Sequence, residues 1–409
     1  MSGRRRTVLL AGLSALVVQA VSAQTLTEEQ ALARMRAEHP QARVLNLTVR
    51  ELEAAARERT FLANPTFSYT REDVGLSADD FLLVTQELPL RGRLGLLGQA
   101  SMQAVTAAQA GTDADLLTFE TRLRLAFTDL LMAQVRVTVL EDGLAALTGL
   151  VDVLRAREAE GEGSLFDRLR SEREMADIDV DLKSAEIEHF KAQARLASFF
   201  RPGSDPTELR AGGELAESAD IAELDPLLVR ALARRADYRS LAHREARWET
   251  ERRAAQRLRF PEISLTAGLK RSGSATPRDS GYALTATVAV PLFNRGQAQV
   301  ARAEAARARA DAERAVLGAQ IESEVRVAHA AAASYADLTG RYRTQSVERA
   351  TELVAIAAAA YEEGEYGILE LLDAHRVKLG AELRLLELAA GARRAMIDLN
   401  HAVGGETTP

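Results

Sequence analysis

Two long stretches of this chain contain no proline, from Leu90 to Arg201 and from Leu292 to Thr408. Average proline usage of about 5% would place roughly five in each. Proline removes a backbone donor and clashes with the preceding turn, so its absence leaves both stretches free to be helical throughout. Their apolar spacing agrees: Leu116, Phe119, Leu123, Phe127 and Leu130 step by three or four, as do Leu317, Ile321, Val325, Ala328, Ala332 and Tyr335. That is the period of an amphipathic helix. Each stretch is interrupted once, by Glu160-Gly161-Glu162-Gly163-Ser164 and by Glu363-Gly364-Glu365-Tyr366-Gly367. Glycine relieves the backbone for a turn there, and two long helical hairpins are expected.

A pair of short strand-like segments precedes each hairpin, Thr66 to Glu72 with Asp80 to Leu88, and Glu262 to Arg271 with Tyr282 to Val290. In the second pair Ile263, Leu265, Ala267 and Leu269 fall on one face and Ser264, Thr266, Gly268 and Lys270 on the other. That two-residue period predicts a strand with unlike sides. The polar loop Ser272 to Gly281 leads into the next strand. Phe67, Tyr69, Phe81, Tyr282 and Phe293 lie in or beside the strands, either as an interfacial girdle or as ordinary strand formers.

The halves also match in order. Pro65, Pro89 and Gly161 are answered by Pro261, Pro291 and Gly364, which follow 196, 202 and 203 positions later. Asn64-Pro65 answers Phe260-Pro261, and Pro89-Leu90-Arg91-Gly92 answers Pro291-Leu292 with Arg295-Gly296. This is an internal duplication. The helix from about Arg91 to Glu158 would be about 100 Å long at about 1.5 Å per residue. The helices over about Glu28 to Thr60 and Leu165 to Phe200 would flank it end to end. Leu224 to Arg259 and Gly367 to His401 would do so in the second copy. The expected organisation is a signal peptide (1–23), a first repeat (24–200), a linker or equatorial segment (201–223), a second repeat (224–404) and a C-terminal tail (405–409).

The signal peptide rests on Arg4, Arg5 and Arg6 before the apolar run Val8 to Val18, then Val21-Ser22-Ala23, which predicts cleavage after Ala23. The apolar run is shorter than the roughly 20 residues of a spanning helix. No later segment has 18 uncharged apolar residues in a row, so the exported chain is either periplasmic or crosses a bilayer as strands. With no cysteine there is no disulfide, thiolate metal site, cysteine nucleophile or lipoprotein acceptor. The net charge of -7 offers no basic field for phosphates, so nucleic acid is not an expected partner. The six histidines, His39, His189, His243, His329, His375 and His401, stand singly without ligand spacing. No nucleophile elbow, phosphate-binding loop or metalloprotease helix occurs, so no enzyme, metal or cofactor is expected.

Four strands near the 9 to 11 residues of a tilted crossing cannot close a barrel, and open edges are not viable in lipid. Several protomers must share one barrel, and three would supply twelve strands around an aqueous lumen. The signal peptide, duplicated strand pair and long helical hairpins together resemble the TolC-like outer-membrane factors over nearly the whole mature chain. The most specific stretch is Tyr361-Glu362-Glu363-Gly364-Glu365-Tyr366-Gly367-Ile368-Leu369-Glu370-Leu371-Leu372-Asp373, similar to that family's second periplasmic tip. Asn64-Pro65 and Gln86-Glu87-Leu88-Pro89-Leu90-Arg91-Gly92-Arg93 resemble the branch paired with heavy-metal and cation-exporting resistance-nodulation-division pumps.

The resemblance implies a mainly α fold with short β segments. Each duplicated unit would be a β-hairpin plus a long α-helical hairpin, and a homotrimer would form a 12-stranded β-barrel in outer-membrane lipid and a periplasmic α-helical barrel. It further implies a conduit of a tripartite efflux or export system, partnered by a periplasmic adaptor and an inner-membrane pump. Gly161, Gly163, Ser164, Gly364 and Gly367 would be adaptor-docking tips, though helix C-caps are sufficient reason for the glycines. Glu370 and Asp373, three apart and so on one helical face, would match acidic positions lining the periplasmic gate; an ordinary solvated face is the alternative. A periplasmic coiled-coil adaptor or a structural scaffold without a pore is the rival architecture, and the duplicated membrane-length strand pairs argue against both.

Overall fold

The computed structural model describes residues 25–75, 77–215, 221–273 and 279–406. The expected signal peptide, the centre of the 272–281 loop and the last three residues lie outside them. The chain opens on β1 (Thr25–Leu26) and α1 (Glu28–Glu38). A capping box starts α1: the Thr27 hydroxyl accepts from the Gln30 backbone, and the Gln30 side chain accepts from Thr27. α2 (Pro40–Glu58) follows at once. The single helix expected over 28–60 is therefore two. Pro40 cannot donate into the preceding turn, and it pushes His39 out of the helical region to φ -77°, ψ 131°.

The second copy repeats this break without a proline. α5 (Leu224–Arg234) and α6 (Ala236–Gln256) meet at Arg235, extended at φ -58°, ψ 120°. The bounds of α5 follow those of α1 by 196 residues, as Pro261 follows Pro65. At Arg235 an ion-paired guanidinium, bound to Asp237 (2.6 Å) and to Glu324, occupies the joint.

The strands are β2 (Thr66–Val74), β3 (Ser77–Leu88), β5 (Glu262–Gly273) and β6 (Asp279–Ala289), in one antiparallel sheet of order β2-β3-β5-β6. Most extend past the expected ends. Polar residues such as Asp73 and Ser77 read as loop, but their backbones continue the ladder to Val74 opposite Ser77. A second, two-stranded parallel sheet was not foreseen: β1 pairs with β4 (Arg210–Ala211) of the segment between the repeats. That segment also buries Leu209, Ala211 and Leu215 against α1 and its neighbours.

α3 (Arg93–Ala159) has 67 residues and spans about 100 Å. Among its chief partners, α2 and α6 pack along its upper half and α4 (Leu165–Ala197) along its lower half. In the second copy the corresponding arm is α7 (Gln297–Tyr342), one π-helical turn (Arg343–Val347) and α8 (Glu348–Glu362), returning as α9 (Ile368–Val403). The layer is thin, and its core falls into three clusters along the shaft. One surrounds Leu123, Phe127 and Leu130 with Met35 and Phe200 at mid-height. One joins Leu140, Leu147 and Leu154 to Ile368, Leu371 and Leu372 near the turns. The third holds Leu227, Ile321 and Leu399. Each large aliphatic side chain fully buried there contributes about 1.5–3 kcal/mol. No helix among the described residues is long and apolar enough to cross a membrane.

Candidate functional site

The register of the sheet sorts its side chains into rows. Tyr69, Leu82, Leu269 and Tyr282 are cross-strand neighbours, as are Phe67, Val84, Ala267 and Leu284. These rows lie on the exposed face, where Leu284 is 79% and Leu269 63% accessible. The alternate rows are mainly polar or small, Leu83 and Phe81 apart, and one is threonine throughout: Thr66, Thr85, Thr266 and Thr285. The hydroxyls of Thr85 and Thr266 are 2.9 Å apart. Thus the apolar face points outward while the half-buried face carries Ser264, Thr266, Gly268 and Lys270. That is the inverse of a soluble sheet and the pattern of a lipid-facing barrel wall. Of the five aromatic residues in or beside the strands, Phe67, Tyr69, Tyr282 and Phe293 are exposed. Phe81 instead belongs to the polar face, with the Lys270 ammonium 4.9 Å above its ring.

The strands β2 and β6 have no partner on their outer sides among the described residues. Nearly all their residues are exposed. Buried backbone groups require partners, and in lipid an open edge leaves a row of them unmet.

At the far end of the shaft the two turns are built alike. The backbone N–H of Glu160 donates to Ala156, that of Gly161 to Glu158, and that of Glu162 to Arg157. The same three bonds recur from Glu363 to Ala359, Gly364 to Tyr361 and Glu365 to Ala360, each 203 residues on. Both are Schellman turns, and Gly161 (φ +81°) and Gly364 (φ +77°) hold the left-handed position. Gly163 is constrained differently. A Cβ there would stand 2.5 Å from the Glu158 nitrogen, whereas one at Gly367 would meet only the mobile end of Glu370. Ser164 is the N-cap of α4 but its hydroxyl makes no capping bond.

Glu370 and Asp373 lie on the exposed side of the first turns of α9, opposite buried Ile368, Leu371 and Leu372. Asp373 accepts from Arg376 at 3.1 Å, and Arg376 also reaches Glu174 of α4 at 3.9 Å. The structure therefore places the two carboxylates on one face and gives one of them a counter-ion. Nearby, burial followed by the charge of Lys378 pushes the His375 pKa down.

Sequence reasoning missed the clamp across the first turn. Arg168 donates to Glu158 and to Glu172 (2.9 Å), and Arg155 donates to Glu172 (2.9 Å), so α3 and α4 are cross-linked. Hydrogen bonds from Arg168 and then Arg155 hold the Glu172 carboxyl below its ordinary range. The opposite charges of Glu158 and Arg168, flanking the glycines at similar distances, were the available signal. Among the described residues no ion pair joins α8 to α9. The two turns touch instead through Arg157, whose guanidinium lies 5.2 Å from the Tyr361 ring centroid.

Comparison with known proteins gives this geometry a context. Residues 227–405 match the family described as Outer membrane efflux protein. The chain is 25% identical over 347 residues to the outer membrane protein OprJ of Pseudomonas aeruginosa, across 81% of this chain and 70% of that one. It is 24% identical over 285 residues to the nickel-cobalt-cadmium resistance protein NccC of Alcaligenes xylosoxydans xylosoxydans, across 66% of this chain and 63% of NccC. Its fold superposes on the open state of the MtrE outer membrane channel of Neisseria gonorrhoeae with a TM-score of 0.74 at 18% identity, covering 100% of this chain and 99% of that one. The sequence match to that family thus covers the second repeat, and the fold of the solved channel runs through both.

Proposed function

We propose that this chain is one of three subunits of an outer-membrane conduit in a tripartite efflux or export system. The observation that carries the reading is the four-stranded sheet with its apolar face outward and both edges unpaired among the described residues, seated on a shaft about 100 Å long. Pairing β6 of one copy with β2 of the next satisfies both edges, and three copies give twelve strands around a water-filled lumen. The polar rows, threonine ladder included, then line the channel. The shaft runs into the periplasm, and the turns at Gly161, Gly163 and Ser164 and at Gly364 and Gly367 meet the adaptor. The energy of transport comes from the inner-membrane pump.

Within the trimer Glu370 and Asp373 form two stacked acidic rings at the periplasmic entrance, where gathered like charges attract cations. Outer-membrane fractions should yield a heat-modifiable trimer, and the purified chain should give discrete conductance steps in planar bilayers. A trimer that never conducts would favour an adaptor or scaffold. A finer proposal, cation export, is favoured by the likeness to NccC; loss of nickel, cobalt or cadmium tolerance on deletion of the gene is its test.

A further inference from the structure

Directly below the sheet an open cleft of about 320 Å³ crosses the seam between α3 and α6. Arg59, Arg93, Arg247 and Arg302 line it, against the single carboxylate of Glu251. Arg59 engages that carboxylate with both nitrogens, at 2.8 and 3.3 Å. Arg247 forms no ion pair among the described residues; its guanidinium lies 4.9 Å from the centroid of the Trp248 ring. The Nε atoms of Arg93 and Arg247 are buried and make no hydrogen bond, although a terminal nitrogen of Arg93 reaches Glu262 at 3.8 Å. Arg302 is exposed and also lacks an ion pair among the described residues. Burial, and then the positive charge of Arg59, Arg244 and Arg302, hold the Arg247 pKa below the usual guanidinium value against the opposing pull of Glu251.

Concentrated cations of this kind cost free energy unless an anion compensates them, since a buried donor without a partner loses its hydration for nothing. Nothing in the conduit reading uses this arrangement, and it departs from a chain that is acidic overall. Guanidinium forks are matched to the oxygens of phosphate. We propose that the cleft binds a phosphate-class oxyanion, with Arg247 at its centre and Arg93 and Arg302 closing on it. Trp248 holds the Arg247 fork in place by stacking, and Glu251 keeps Arg59 at the rim. Two sources carry that chemistry: the phosphodiester headgroup of a phospholipid and a free phosphate or phosphate-bearing solute. The anion site stands on the cleft alone; only the lipid source rests on the proposed placement of the sheet in a membrane. On that placement the cleft lies near the periplasmic headgroups, because Arg93 follows the end of β3 by five residues.

Trp248 is the only tryptophan of the chain, so its emission reports on the cleft without labelling. The test uses the full chain purified in non-ionic detergent. Inorganic phosphate is titrated against sodium chloride of equal ionic strength, and a second series compares short-chain phosphatidylglycerol with phosphatidylcholine. The expected result is a saturable change in emission with phosphate, weakened at least tenfold in Arg247→Gln and less in Arg302→Gln. Arg384→Gln, an exposed pair partner far from the cleft, should match the native chain. Phosphatidylglycerol competing with phosphate while phosphatidylcholine does not assigns the site to a headgroup. Phosphate binding without competition assigns it to a free anion. If Arg247→Gln loses its helical circular dichroism, the exposed Arg302→Gln decides the matter. No saturable response of the native chain to phosphate, or equal affinity in the arginine variants that fold, overturns the proposal. Conductance is measured separately, so a failed anion site and a failed channel are told apart.

Discussion

The two hairpin turns share one backbone and differ in what surrounds it. Three hydrogen bonds and one left-handed glycine recur at a constant 203-residue spacing. Yet the first turn is clamped by Arg155, Glu158, Arg168 and Glu172, while no ion pair joins the arms of the second among the described residues. The first long arm is one α-helix of 67 residues; the second contains a π turn at Arg343–Val347. Duplication has kept the backbone bonds that fix where each helix stops and let the side chains diverge. The second hairpin, with fewer cross-links, is expected to open locally more readily than the first. Local segments with fewer stabilising contacts open at lower free energy.

The sharpest test of the difference is a pair of alanines. Gly163 and Tyr366 occupy equivalent positions by the 203-residue spacing, but a Cβ added at Gly163 would meet backbone at 2.5 Å, whereas Tyr366 already carries one. Gly163→Ala should cost about 1–3 kcal/mol, as overpacking does, whereas Tyr366→Ala, at a 46% exposed residue, should stay within about 0.5 kcal/mol. Thermal melts of the trimer in detergent would show it. The test of the sameness is Gly161→Val against Gly364→Val. Each forces a branched side chain into the left-handed region, so the two losses should be alike, about 1–2 kcal/mol apiece.

Function supplies the next effect. Replacing Glu370 and Asp373 together with Ala should raise the concentration of a divalent cation needed for half-block roughly tenfold at unchanged trimer yield, if the rings face the lumen. Unchanged block would return both residues to a solvated surface. A smaller effect concerns the clamp. Arg168→Ala should bring amide exchange at Glu160–Ser164 up to the rate at Glu363–Gly367; the reverse order in the native chain would end the comparison.

The smallest effect is acid sensitivity. Burial first, then the positive charge of Arg235, lowers the pKa of His401, and burial also lowers that of His375. A histidine with a depressed folded-state value is neutral in the fold, so its stabilisation is full above the unfolded value of about 6.5 and declines as pH falls below it. The melting midpoint should therefore drop modestly from pH 7.5 to 5.5, and less so in His401→Gln.

Much of this was legible in the sequence because helix and strand periods and proline positions are local signals. The strand alternation at Ile263 to Lys270 fixed both faces of the sheet, and the glycines located both turns. The break at Pro40 is written in the chain, yet the equivalent break at Arg235 is not, since it depends on Asp237 and on Glu324, 89 residues away. The β1–β4 pairing was hidden for the same reason: two-residue strands carry no periodicity, and Thr25 finds Arg210 only through the tertiary fold. At the candidate gate the acidic positions were visible, but the counter-ion Arg376 and its link to Glu174 belong to packing between α4 and α9.

The central claim is that β6 of one copy pairs with β2 of the next in a ring of three, and the absence of cysteine from the chain makes it directly measurable. Within one copy these strands are the two edges of a four-stranded sheet, about 14 Å apart at about 4.8 Å per strand, beyond the 7 Å Cα reach of a disulfide. Ser68→Cys should be combined in turn with Ala283→Cys, Thr285→Cys and Thr287→Cys, and outer-membrane fractions oxidised and separated without reductant. The account predicts that at least one combination gives covalent dimers and trimers and nothing larger. Monomers alone in every combination, or a ladder running past three, would contradict it.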